Sequence, residues 1–380
     1  MAVQPAHLSA IAPPAATDAW DQLPTASQWT LIRRRFLRHR LAAISACVVA
    51  FFYLVVVLAD FLAYSDPTIS NAQRALVPPQ RVHLFEDGRF DPHVHGLIRT
   101  RDPDTFAAHY AADPEVRIPV RLFATGYPYR FLGLFEADTH LLGTVGATAE
   151  SSLFLLGADQ VGRDLYSRIV VAIRTSLSIG LAAVFVSLVL GMIMGALSGF
   201  YGGLVDVLIQ RLIEILRAIP TIPLWMGIAA AIPASWSVTS VYLAVTLIIS
   251  LIGWTELARE LRGRIMALKH EDFVLAAELC GARPRRIIFV HLLPLCASHI
   301  IATTTLALPA MIASETALGF LGLGLRPPAI SLGVLLNGAQ NVQSFALYPW
   351  LMWPIVPTAL VIFAFNFVGD GLRDAADPYA

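Results

Sequence analysis

Five stretches of this chain, Leu41 to Ala59, Thr175 to Val205, Ala218 to Thr255, Leu292 to Ser314 and Phe345 to Gly369, contain no Asp, Glu, Lys or Arg. A bilayer core about 30 Å thick asks for roughly 20 apolar residues per helix, and a charge inside it costs about 2.5 to 3.5 kcal/mol on insertion scales. Uncharged runs of this length therefore set the class of fold, an integral membrane protein built from α-helices. Composition agrees: 14% of the residues are charged, against about 25% in an ordinary soluble domain. The third run is too long for one span, and PASWSVTS (Pro233 to Ser240) in its middle has the Pro and Ser content of a turn. Splitting it there predicts six transmembrane helices. The third must begin near Leu204 and carry Asp206, Arg211, Glu214 and Arg217 in its first turns. Arg211, Glu214 and Arg217 recur every three residues, near one face.

Orientation follows from basic residues in short segments beside the helix ends. Arg33, Arg34, Arg35, Arg38 and Arg40 precede the first span and place the N-terminus in the cytoplasm. That span is expected to be a permanent anchor, because its apolar core exceeds that of a signal peptide. Counting crossings puts the 256–291 connection in the cytoplasm, where Arg259, Arg262, Arg264, Lys269, Arg283, Arg285 and Arg286 agree independently. The expected organisation is a cytoplasmic segment (1–40), a first span (41–63), an extracytoplasmic insertion (64–174), a core with spans two to six (175–369) and a cytoplasmic C-terminus (370–380). The insertion is too long for a bare loop, and PVRLFATGYPYRFLGLF (Pro119 to Phe135) predicts short strands within a small cap.

Several chemistries are excluded. The 27 basic and 27 acidic residues balance, which leaves no electrostatic footprint for nucleic acid. Cys47 and Cys296 sit in apolar runs and Cys280 in a basic segment, which is no disulfide framework. The nearest approach to a Walker A loop, Gly157 to Arg163, has Arg where phosphate binding uses Lys and lacks the following Ser or Thr. No HExxH or GxSxG pattern occurs, so hydrolase chemistry lacks its starting residues and no catalytic residue is assigned. His83, His93, His95, His109 and His140 are read as loop histidines without a metal, since no defined ligand set is visible.

Gly191, Gly195, Gly199 and Gly203 recur every four residues along the second span, a strip that lets another helix approach closely. Packing inside one bundle is preferred over a subunit interface. In HEDFVLAAELCGARPRRIIFVHLLP (His270 to Pro294), Glu271 and Asp272 suit a helix N-terminus, Gly281 a C-terminal cap, and Pro284 the first turn of a new helix. The result is a helix, an elbow and a helix, with Phe273, Val274 and Ala277 expected as an apolar knob amid basic residues.

The same residues resemble the EAA loop of ABC importer permeases, a Glu-Ala-Ala triplet followed by three residues, Gly, nine residues, Ile, one residue, Leu and Pro. Ala276, Ala277, Gly281, Leu293 and Pro294 match, while Leu275 stands in place of the Glu and His291 in place of the Ile. Glu271 or Glu278 lies one turn from Leu275 and can supply the missing carboxylate. GADQVGRDLYSR (Gly157 to Arg168), GFYGGLVDVLIQRLIEILRAIPTIPL (Gly199 to Leu224), ETALGFLGLGLRPPAISLGVLL (Glu315 to Leu336) and GDGLRDAADP (Gly369 to Pro378) resemble the C-type permease of dipeptide and oligopeptide importers. The outer segment around Arg81 to Pro103 is similar to the insertion of the microcin C and related peptide permeases.

The resemblance implies a type I ABC importer permease fold in the bacterial inner membrane, with no cofactor in this chain. Its implied partners are a second permease chain, two ATPase domains that bind ATP and Mg, and an extracytoplasmic solute-binding protein. Glu271, Phe273, Leu275, Ala276, Ala277, Glu278, Gly281 and Pro294 are then the expected contacts with the ATPase. Trp225 and Met226, beside the helix-interrupting Pro220 and Pro223, are candidate pathway residues, with Glu315 expected at the outer mouth. Arg373, Asp374 and Asp377 are expected to cluster near the ATPase. The competing class is an ATP-independent secondary transporter or channel, which needs ionisable residues near the midplane. His299 is the lone central one, expected to donate to a backbone carbonyl.

Overall fold

The computed structural model describes residues 28–86, 88–103, 108–144, 153–233, 235–341 and 346–376. Helices α1 (Gln28–Arg38), α2 (Arg40–Val57) and α3 (Ala59–Leu62) lead into a sheet, β1 (His83–Glu86), β2 (Arg89–Arg101), β3 (Ala108–Phe131) and β4 (Phe135–Thr144). There follow α4 (Leu165–Tyr201), α5 (Gly203–Ala218), α6 (Thr221–Ala230), α7 (Val238–Leu268), α8 (Asp272–Leu279) and α9 (Pro284–Arg286). A π-helical segment (Ile287–Leu292), α10 (Leu293–Leu295), α11 (Ala297–Phe320), α12 (Leu332–Gly338) and α13 (Ile355–Ala376) complete the chain.

Among the described residues, five helical segments are long and apolar enough to span a membrane, and α5 with α6 makes a sixth if that pair is one crossing. The third crossing is broken at Pro220, one of the two prolines expected to interrupt it. It bends by 87° between Ala218 and Thr221, where Pro220 has no N–H to donate and disfavours helical geometry in the residue before it.

The second span also begins ten residues earlier than the uncharged run. Asp164 caps it, its side chain accepting from the Ser167 N–H at 2.7 Å. Arg168 and Arg174, which mark the insertion when charge is counted, lie inside α4 because each has a fixed acceptor. Arg168 Nη1 donates to Pro67 O at 2.9 Å, and Arg174 Nη1 lies 2.6 Å from Asp60 Oδ2. Residues 165–174 thus belong to α4. Likewise α7 runs to Leu268, so the first part of the 256–291 connection is helix rather than loop.

The insertion is a four-stranded antiparallel meander in sequence order, so the chain is not all-α. The expected strand region, Pro119–Phe135, forms part of one long strand and its turn. β3 pairs with β2 through Pro119 and with β4 from Val120 onward, so one strand bridges the two halves. Register shifts interrupt both ladders, adding twist. Tyr64, Val94, Ile118, Val120 and Leu153 form its small core against the outer end of the bundle.

The strip on α4 packs inside the bundle. A Cβ on Gly195 would meet Ala258 O at 2.7 Å, one on Gly199 would meet Arg262 O at 2.8 Å, and one on Gly191 would meet Leu257. Gly203 does not belong to this strip: it has φ +52 and no atom within 4 Å of such a Cβ, and it opens α5.

Candidate functional site

Two features stand out on the side assigned to the cytoplasm. The first is the elbow. Helix α8 ends at Cys280, and Gly281 takes φ +78, a left-handed conformation that residues with a Cβ adopt at a cost. Gly281 N–H donates to Glu278 O at 2.9 Å and Ala282 N–H to Ala277 O at 3.0 Å, closing the helix end. Pro284 then starts α9. The π-helical turn that follows precedes Pro294, whose missing N–H and bulky ring both disfavour regular α-helix there.

The faces of α8 differ from the knob expected. Val274 is fully buried and Ala277 partly so, packed with Leu261, Ile265, Ile287 and Leu292. They hold the elbow to α7 and are not its presenting surface. The outward side carries Phe273, Leu275 and Leu279, the last 90% exposed, with Ala276, Glu271 and Glu278 also exposed. In the segment that follows, Phe289, Val290, Pro294 and Leu295 are also exposed. Spacing alone did not mark this division: Phe273 and Ala277 are four apart and Val274 and Ala277 three apart, so all three lie near one face and only the packing against α7 separates them.

The second feature is a cavity of about 1050 Å³ bounded by α4, α6, α7, α11 and α13. Trp225 lines it, and its buried Nε1 has no hydrogen-bond partner among the described residues. Met226 does not line it and is 42% exposed. Arg217, Glu256, Glu260, Arg264, His299 and Arg373 give one wall both signs of charge. Sequence reasoning missed the α7 members, although Glu256, Glu260 and Arg264 recur every four residues beyond the uncharged run. His299 Nε2 lies 3.1 Å from Glu260 Oε2, not at a backbone carbonyl, and Thr303 Oγ1 donates to the same oxygen at 2.9 Å. Arg373 lines the cavity; Asp377 lies outside the described residues.

Glu315 is a further correction. It is 1% exposed, beside Thr316, and Oε1 has no hydrogen-bond partner among the described residues. It is interior to the helix packing rather than open at the mouth. There the chain after α11 folds back: Leu332 N–H donates to Ser176 Oγ at 3.1 Å, and Asn337 and Gln340 side chains both donate to Phe320 O at 2.7 Å.

Two polar anchors set this frame. Asp206, early in the bent crossing, accepts two hydrogen bonds from Arg262 on α7, at 2.5 and 2.6 Å, and one from Ser198. On the outer side, Tyr64 O–H donates to Asp164 Oδ1 at 2.7 Å. Burial pushes the Asp164 carboxyl up to about 6, against the hydrogen bonds it accepts, and holds the Tyr64 hydroxyl well above its ordinary range. The resemblance of Gly157–Arg163 to a phosphate loop is structural only. Asp159 there accepts from Val161 and Arg163, and Gly162 lies against the Asn71 backbone.

With this geometry in view, residues 147–379 match the family model of the binding-protein-dependent transport system inner membrane component, and residues 27–79 that of the N-terminal TM domain of oligopeptide transport permease C. The chain belongs to this family. Its core has the type I ABC importer permease fold. It is 30% identical to the dipeptide transport system permease protein DppC of Lactococcus lactis subsp. cremoris, over 91% of this chain and 89% of that one. It is 37% identical to the oligopeptide transport system permease protein OppC of Haemophilus influenzae, over 68% of this chain and 80% of that one. Among solved structures, an inward-facing MetNI methionine ABC transporter chain aligns with 19% identity and a TM-score of 0.42, covering 55% of this chain and 96% of that chain.

Proposed function

We propose that this chain is one of two permease subunits of an ATP-driven importer and forms half of the pathway for peptides or peptide-like solutes. The observation that carries the reading is the elbow, whose inner face is fastened to α7 by Val274 while Phe273, Leu275 and Leu279 remain exposed among the described residues. An apolar surface of this kind suits a groove on a separate ATPase subunit, where ATP and Mg would be bound. Nucleotide-driven closure there moves the elbow, and α7 and α11, which flank it and line the cavity, reorient with it. Only contacts that differ between the two states transmit work.

The cavity wall supports the cargo class. Arg217, Arg264 and Arg373 can meet a carboxylate while Glu256 and Glu260 meet an ammonium group, the two ends of a peptide. An extracytoplasmic solute-binding protein would deliver the cargo, and both termini of this chain would lie in the bacterial cytoplasm. The test is gentle purification from the native membrane with identification of the co-eluting chains. ATPase subunits and a homologous permease are expected. Full-rate solute uptake by this chain alone in vesicles would refute the assignment.

A further inference from the structure

One carboxylate of the cavity wall belongs to the elbow as much as to the cavity. Glu260 lies on α7 about two turns before that helix ends at Leu268, and α11, which leaves the elbow at Ala297, reaches back to it. Thr303 Oγ1 donates to Glu260 Oε2 at 2.9 Å, and His299 Nε2 lies 3.1 Å from the same oxygen. A single oxygen thus ties the helix that enters the elbow to the helix that leaves it. All three side chains line the cavity.

The rest of this joint is apolar. Leu257, Leu261 and Ile265 of α7 share a core with Ile300 of α11 and with Leu292 and Cys296. That packing keeps the two helices together whether or not the polar tie is made, so the tie can change without unfolding the joint. The tie is also incomplete. His299 Nε2 is buried, yet its geometry gives it no hydrogen bond among the described residues. No Lys or Arg pairs with Glu260 among the described residues, although Arg217, Arg264 and Arg373 line the same cavity. Its side chain is 38% exposed, so the carboxylate is open to a cation from the cavity. Glu256, about one turn earlier, lines the cavity as well, but Glu260 is the one bonded to α11.

We propose that Glu260 makes a free amino group on the cargo the signal that loosens the elbow, with Thr303 and His299 as positioning residues that present its carboxylate. This rests on the assignment of the cavity as the solute pathway. A hydrogen bond to an ionised carboxylate is roughly twice as strong as one between neutral groups. An ammonium group that takes up the charge of Glu260 therefore weakens its hold on Thr303 and His299, and α7 and α11 gain freedom to move against each other at the elbow. A solute whose amino group is blocked can fill the cavity and leave the tie intact. The empty and filled states then differ in a named contact, which is what a shift between two states requires.

The assembled transporter in lipid nanodiscs, without its solute-binding protein, is given trialanine or N-acetyl-trialanine. ATP hydrolysis is expected to rise several-fold with trialanine and to stay at the basal rate with the acetylated peptide. Thr303→Val, which keeps the shape of threonine and removes its hydroxyl, is expected to raise the basal rate and abolish the further rise; Thr303→Ser is expected to restore both. Equal stimulation by the two peptides, or by neither, overturns the inference. So does a wild-type ratio in Thr303→Val, or loss of basal and stimulated hydrolysis together, the mark of a merely structural role. Uptake of trialanine by the wild-type assembly in vesicles, with the solute-binding protein present, tests the pathway assignment separately. Uptake without the difference between the peptides sinks this inference alone, and absence of uptake sinks both.

Discussion

The elbow and the four-stranded sheet, at opposite ends of α4, are built on opposite principles. The elbow is compact in sequence: one short helix, one left-handed glycine and one proline turn it, and its buried face closes on residues near it in the chain, such as Leu261, Ile265 and Ile287. The outer sheet depends on pairs far apart in sequence. Tyr64 meets Asp164, Asp60 meets Arg174, and Ile118 shares a core with Leu153. Under the proposed function the elbow is a lever, and a lever gains from local rigidity. The outer part needs only to be held in place, and buried polar anchors do that.

The largest expected effect tests the elbow. Gly281→Arg puts a long side chain at φ +78 and should abolish stimulated ATP hydrolysis and uptake while membrane insertion, read by protease protection, stays intact. Unchanged coupling would remove the distinction drawn between the two regions. Next, Leu279→Asp, at a 90% exposed position, should lower stimulated hydrolysis about tenfold without altering the melting midpoint, since about 1.4 kcal/mol of lost docking energy suffices for that factor. Val274→Asp should instead unfold the elbow and lower the midpoint; equal behaviour of the two variants would refute the two-faced helix.

Asp206→Ala removes the two-bond tie between α5 and α7, and because the pair is partly solvated the cost is about 1 kcal/mol. Thermal unfolding in mild detergent reads it. The Asp164 anchor gives an effect that depends on pH. Because burial raises Asp164 to about 6 in the folded chain, above its unfolded value, folding favours the protonated form. Stability should therefore rise as pH falls from above 6 toward 4, by up to about 3 kcal/mol. Asp164→Asn should flatten that dependence, and a wild-type melting midpoint that drops over the same window would reverse the sign.

What could be read in advance follows the same division. Spans and elbow obey one-dimensional rules: uncharged length, a left-handed glycine, a proline at the start of a helix. The interruption at Pro220 was legible, though its 87° size was not; the early start of α4 was hidden because charge marks a boundary only when it is unpaired. Arg168 has Pro67 O, Arg174 has Asp60, and Arg262 has Asp206, partners about 56 to 114 residues away. Spacing along one helix cannot report such distant neighbours. The cavity charges were half legible, as a four-residue repeat on α7, but that they share a wall with His299 and Arg373 depends on how α11 and α13 pack. Glu315 was misplaced because its distance from the helix end says nothing of the Ser176 side it faces.

Helix α4 belongs to both worlds. Its first turn is capped by Asp164, the residue that holds Tyr64, and its last turns lie against Arg262 and Ile265 of α7, beside the elbow. At 37 residues it is about 55 Å of uninterrupted hydrogen-bonded backbone, well beyond the thickness of the bilayer core. A rod of that length turns every degree of tilt at one end into about 1 Å of travel at the other. Tilt at the elbow end of this helix therefore reappears as travel at the end that carries the sheet.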